Sequence, residues 1–188
     1  PAERPPGRAG RGPGDAPEAS PAGPRTPGGR REATPMRITQ LRNATLKLEI
    51  GGVRLLVDPM LAEAEAYPGF PGSADSHRRN PTVPLGRPLA EALDVDAVIV
   101  THLHLDHWDD AAKREIPKAL PVFAQNEADA GRIRADGFED VRVLAEGTVF
   151  EGVSLTPTAG RHGTEAAYGV IGDRLGAVSG VVVRAEGE

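Results

Sequence analysis

Thr101-His-Leu-His-Leu-Asp-His107 is the stretch on which the fold of this chain turns. Directly before it stands Ala97-Val-Ile-Val100, a continuous apolar run of the kind that suits a strand covered on both faces. The histidines therefore leave the end of a buried strand. In extended backbone, residues two apart point to the same side, so His102 and His104 can meet one cation. The chain then turns and offers Asp106 and His107 to a second point nearby. Four of the five histidines are His102, His104, His107 and His162, and three of them fall within six residues. Scatter through a polar loop is a poor account of that spacing. There is no cysteine, so any metal must be held by histidine and carboxylate, donors that zinc accepts. A zinc with three protein ligands keeps a fourth position open for water and can bring the pKa of that water to about 7, while a second metal polarises the electrophile. One or two zinc ions are expected, with manganese or iron as alternatives because these donors discriminate weakly.

Moving toward the C-terminus, Asp106 to Ile116 is expected to be helical, with acids in its first turn and Pro117 as its stop. Val122-Phe-Ala124 reads as a strand, Glu127 to Asp136 as a helix ended by Gly137, and Val141-Arg-Val-Leu144 as a strand. Phe150 to Pro157 adds a hairpin-like strand before Ala159-Gly-Arg-His-Gly163, and Gly180-Val-Val-Val183 is the last apolar run. Toward the N-terminus, Ala44 to Ile50 alternates as a half-buried strand does, Gly51-Gly52 signals a two-residue hairpin, and Val53-Arg-Leu-Leu-Val57 returns to end at Asp58-Pro59. Residues 62 to 90 read as a long irregular excursion, of the kind that serves as a lid or binding loop. Hairpin strands followed by alternating strands and helices predict an α/β (α+β) domain over residues 36–188, a sheet with helices packed on it.

The first 35 residues differ in kind. They hold nine of the 18 prolines and seven of the 23 glycines, and six arginines against four acids give them a charge of +2. Such a segment buries too little to offset its ordering entropy and is expected to be a disordered tail. The remaining residues carry −7, which argues against a nucleic-acid partner. No apolar run approaches the ~20 residues needed to cross a bilayer. The expectation is a cytoplasmic protein with no membrane association, acting on a small-molecule substrate.

The motif Thr101 to His107 resembles the His-x-His-x-Asp-His signature of the metallo-β-lactamase superfamily, over roughly residues 36–188. Within that superfamily, Arg42-Asn-Ala-Thr45, Leu56-Val-Asp-Pro-Met60, Tyr67-Pro-Gly-Phe-Pro71, Arg79-Asn-Pro81 and Asp106-His-Trp-Asp-Asp110 are similar to the branch related to ascorbate-6-phosphate lactonase. The resemblance implies an αββα sandwich with its site at one edge of two packed sheets. It implies that His102, His104 and His162 bind a first metal and that Asp106 and His107 bind a second. Asp58 would hold a ligand loop or histidine from behind. The implied activity is metal-dependent hydrolysis, with metal-activated hydroxide attacking an ester, lactone or phosphoester-like bond and Asp106 orienting the nucleophile.

Other residues near these have simpler readings. Trp108 is expected in the core, Asp109 and Asp110 as helix N-terminal charges, and His77, Arg78, Arg79 and Asn80 as solvated loop, with contact to an anionic substrate as the alternative. The family pattern would continue past Val183 into Gly-Asp-Thr and a final histidine for the second metal. Gly172-Asp173-Arg174 follows His162 too closely to serve as that bridge. The expectation is therefore the N-terminal part of the sandwich, truncated at its C-terminus, with the second sheet missing and an apolar face open to aggregation or to a second copy. A catalytically impaired metal-binding fragment or assembly module is the rival to an active hydrolase.

Overall fold

A computed structural model describes residues 36–71 and 75–185. The tail expected over residues 1–35 lies outside them. Three antiparallel strands open the fold: β1 (Arg37–Arg42), β2 (Thr45–Ile50) and β3 (Val53–Val57). Between β2 and β3, Gly51 and Gly52 both have positive φ, at 55° and 77°, the conformation a two-residue hairpin turn demands. Gly51 is required twice over, because a Cβ there would stand 2.9 Å from Cβ of Ala185.

Three parallel pairings complete the sheet through β4 (Ala97–Val100), β5 (Val122–Ala124) and β6 (Val141–Val143), in the spatial order β1-β2-β3-β4-β5-β6. Short helices make the crossovers: α1 (Leu89–Ala92), α2 (Asp110–Glu115) and α3 (Glu127–Ala135). Every residue of β4 is buried, as its unbroken apolar run predicts. Val98 and Val100 join the core beneath the helices with Trp108, Ala112, Ile116 and Ile133. Ala97 and Ile99 face the opposite core with Leu55, Phe123, Val153 and Leu155. Each of the larger side chains contributes about 1.5–3 kcal/mol by leaving water, so β4 is a firm base for whatever follows it.

That opposite core is covered by a second sheet, which corrects the expectation that it would be missing. Its three strands are β7 (Val149–Phe150), β8 (Val153–Ala159) and β9 (Ser179–Ala185), in that spatial order and antiparallel. β8 and β9 pair without interruption from Val153↔Ala185 to Ala159↔Ser179, and Val181 and Val183 pack on the shared core. Helix α4 (Glu165–Leu175) joins β8 to β9. It includes Gly172-Asp173, so that segment is helical backbone rather than a strand-end bridge. Helices on one face of the large sheet and a smaller sheet on the other give the mixed α/β layering of the expected sandwich. Among the described residues no helix is long and apolar enough to cross a membrane.

The excursion expected over residues 62–90 is stitched down at its described residues rather than free. Arg42, only 3% exposed, donates from Nε to the Met60 carbonyl at 2.8 Å and from its terminal nitrogens to the carbonyls of Met60, Ala62 and Val83. Burial lowers its pKa, and the nearby Asp109 works against that. Further out, Tyr67 and Asn80 form a backbone bridge, and Arg79 donates to the carbonyls of Glu65 and Ala66 at 2.7 and 3.0 Å. Arg79 and Asn80 thus hold the loop to itself, in keeping with the simpler of their two readings.

Candidate metal centre

The loop that follows β4 begins with a residue whose role was not evident from sequence. Thr101 donates its backbone N–H to Oδ1 of Asp58 and its hydroxyl to Oδ2, both at 2.7 Å. Asp58 itself sits at φ 48°, and its own N–H donates to the Ile99 carbonyl at 2.9 Å, so the ends of β3 and β4 are tied together. With its only hydrogen committed to a carboxylate, the Thr101 hydroxyl can meet Nδ1 of His102, 3.1 Å away, only as an acceptor. Nδ1 of His102 therefore carries the proton. Its Nε2 keeps a lone pair aimed inward.

Three imidazoles converge on that lone pair. Nε2 of His162 lies 3.0 Å from Nε2 of His102 and 3.1 Å from Nδ1 of His104. Among the described residues this trio is the one group of three or more potential ligands gathered within 4.8 Å. His102 is buried, His104 half-buried and His162 exposed. His102 and His104 come from the β4 loop, and His162 from the turn between β8 and α4, where its N–H donates to the Tyr168 hydroxyl at 3.0 Å. Burial, reinforced by the neighbouring His107, His104 and His162, pushes His102 down to about 3. Burial and the neighbouring histidines also lower His162.

The donor set suits a metal. Ligand nitrogens around a tetrahedral zinc, each ~2.0–2.1 Å from it, stand roughly 3.3 Å apart, so the rings need open by only a few tenths of an ångström. Three nitrogens of which at least one is held neutral cannot satisfy one another by hydrogen bonds alone. A cation with affinity for imidazole resolves that crowding.

Asp106 and His107 stand beside the trio without joining it. The His107 ring lies 3.8 Å, centroid to centroid, from His102, and its Nε2 is 3.6 Å from Oδ2 of Asp106. Its Nδ1, buried from solvent, is 2.9 Å from Oδ2 of Asp58, at ion-pair distance but without the direction of a good hydrogen bond. Burial alone would lower the His107 pKa, but the Asp58 carboxylate, with Asp106 behind it, outweighs burial and raises it. Asp58 thus steadies both halves of the motif, one through Thr101 and the other directly. Asp58→Asn would replace an acceptor with a donor against Thr101 and remove the charge facing His107. We expect metal affinity to fall about 10–100-fold, measured by competition with a chromogenic chelator, with secondary structure unchanged.

Helix α2 starts later than expected, at Asp110, because residues 104–107 turn tightly enough for the N–H groups of His107 and Trp108 to reach the His104 carbonyl, both at 2.9 Å. Asp109, with no exposed surface, is its N-cap. Its Oδ1 accepts from Ala112 N–H at 2.6 Å and its Oδ2 from Ala62 N–H at 2.8 Å. It is a buried tie as well as the helix-end charge expected from sequence. Trp108 is 3% exposed and packs against Phe138 at 5.3 Å between ring centroids, a core residue as expected.

A cleft of about 340 Å³ opens beside His102 and His104, with Gln125, Asp129 and Arg132 along its far wall. A larger cleft of about 460 Å³, on β1, β2 and α1, is remote from the histidines and lined by charges of both signs.

Residues 37–165 match the family model described as Beta-lactamase superfamily domain. UPF0173 protein YddR of Bacillus subtilis (strain 168) is 49% identical over 145 residues, which cover 76% of this chain and 57% of that protein. Among solved structures, the isothiocyanate hydrolase from Delia radicum gut bacteria is 47% identical with a TM-score of 0.75, covering 79% of this chain and 58% of the other. A possible metal-dependent hydrolase from Veillonella parvula DSM 2008 is 44% identical with a TM-score of 0.76, covering 81% and 58%. The chain therefore spans less than two thirds of the length of each of these relatives.

Proposed function

The chain belongs to the beta-lactamase superfamily domain family, and from that premise we propose that it is a metal-dependent hydrolase with its centre at His102, His104 and His162. The observation that carries this reading is the convergence of three imidazole nitrogens, two of them from residues, His102 and His104, that line a cleft. Zinc suits the set best, and manganese or iron would accept the same donors. When bound, the metal supplies acidified water and Lewis acidity for attack on an electrophilic centre.

The chain's own residues do the rest. His102, His104 and His162 hold the metal, with Thr101 and Asp58 fixing the proton of His102 on Nδ1. Asp106, half-buried beside His107, is the carboxylate that orients the attacking water and accepts its proton. Asp106 and His107 are the chain's contribution to a second metal. Ester, lactone or phosphoester-like bonds are the leading substrates, in line with the lactonase-like stretches around Asp58 and Tyr67. A second reading has a specific basis, the 47% identity to an isothiocyanate hydrolase. In that case the electrophile is the central carbon of an isothiocyanate, and water converts it to the amine and carbonyl sulfide.

The test is turnover by metal-loaded protein of a nitrophenyl ester, a homoserine lactone, bis-nitrophenyl phosphate and benzyl isothiocyanate. Turnover of any of them, lost on chelation and in the His104→Ala variant, supports the reading and selects the substrate class. Stoichiometric metal with no turnover of any of the four would instead favour a metal-binding module.

A further inference from the structure

Arg132 occupies a position that the reading above leaves unused. It lies on the surface of α3 and lines the cleft that holds His102 and His104. It also lines a neighbouring cleft of about 330 Å³ formed with Leu103, Trp108, Lys113, Ala135 and Asp136. Leu103 and Arg132 are common to both, so the two clefts meet at this pair of side chains. One arm of the combined groove ends at the histidines. The other runs over the apolar surface of Leu103 and Ala135.

Several other basic side chains are already engaged. Arg134, two residues on, donates to Glu127 and to the Val141 carbonyl, and Arg142 is paired with Asp140. Lys113, which shares the second cleft, is paired with Asp110. Among the described residues no carboxylate pairs with Arg132. Asp129, its acidic neighbour in the first cleft, has its Oδ2 taken by the Gln125 side chain at 2.7 Å. The groove therefore offers one uncommitted guanidinium between the histidine centre and an apolar wall.

We propose that Arg132 is a specificity-determining residue that holds an anionic group of the substrate, so that the preferred substrates are small hydrolysable compounds carrying a carboxylate, sulfonate or phosphate beside an apolar tail. The planar guanidinium offers two parallel N–H donors to such a group, which a lysine cannot reproduce. This deepens the hydrolase reading and rests on it for the identity of the groove as a substrate site, but binding at Arg132 is measurable without turnover.

The probe is benzenesulfonate, a non-hydrolysable aromatic anion, titrated calorimetrically into the protein with and without zinc. The expected result is saturable binding in both forms that weakens about 10–100-fold in Arg132→Gln, with Arg132→Lys in between. Zinc content should be the same in all three proteins, since the metal is held by His102, His104 and His162 and a guanidinium is not a metal donor. Absence of binding to the unaltered protein, or equal binding by Arg132→Gln, overturns the proposal. Loss of zinc uptake with Arg132-dependent binding intact would count against the metal centre and leave the anion site standing.

Discussion

Replacing His102 with alanine is expected to take bound zinc from about one ion per chain to background, since two remaining imidazoles are too few for a stable site. The expectation follows from geometry. Nε2 of His102 is the lone pair on which His162 closes at 3.0 Å, and its direction is fixed by Thr101 and Asp58. Because His102 is buried and rests against His107, its removal also disturbs packing. His162→Ala provides the control, for His162 is exposed and its loss should abolish uptake with little change in melting temperature. Elemental analysis after purification without chelator reads both variants. Undiminished zinc in either one would rule out the three-histidine centre. Two ions per chain in the unaltered protein would mean that Asp106 and His107 hold a second one with help from a further group.

Asp109→Ala should be the most damaging single change away from the histidines. The side chain is fully buried and accepts from Ala112 and Ala62. Its removal strips the cap from α2 and leaves the Ala62 N–H without an acceptor. The carbonyl of the same residue, Ala62, is held by Arg42. Losing a cap costs about 1 kcal/mol, and losing a buried charged acceptor adds roughly 1.5–3. The total of about 3 kcal/mol corresponds to a fall in melting temperature of roughly 6–12 °C for a domain of this size, readable by calorimetry. Asp109→Asn keeps one acceptor oxygen and should recover about half. A shift below about 2 °C in the alanine variant would mean that Ala62 and α2 find other partners.

Much of this was legible in the sequence. A fully buried β4 followed by His102 and His104 is the direct outcome of an apolar run and a spacing of two. His162 is another matter. It lies 60 residues from His102, so only the resemblance to a known family connected them. The role of Thr101 is not legible in the motif, because a hydroxyl's partners depend on how the end of β3 meets the end of β4. Asp109 could have been found as a cap, since an acid before a run of alanines is a helix-start signal, but its second bond to Ala62 spans 47 residues. Arg42 belongs to a stretch that carries the family resemblance, but nothing in the sequence points to its role. A buried arginine on an edge strand has meaning only once the excursion it holds is folded over it. Helix α4 is hard to read because Gly169 and Gly172 weaken its local propensity, and the second sheet because only a short valine run in β9 marks it as a strand.

The trio of histidines draws its ligands from two places far apart along the chain, two at the end of a strand in the large sheet and one beyond the last residue of β8 in the small one. A metal ion there would act as a reversible cross-link. Like a disulfide, it would close a long covalent circuit and restrict the unfolded chain, though it can be withdrawn by a chelator rather than a reductant. The small sheet and α4 would then be the region whose amide protons exchange faster when the ion leaves, while β4 and its neighbours, anchored by their own apolar contacts, would register the loss least.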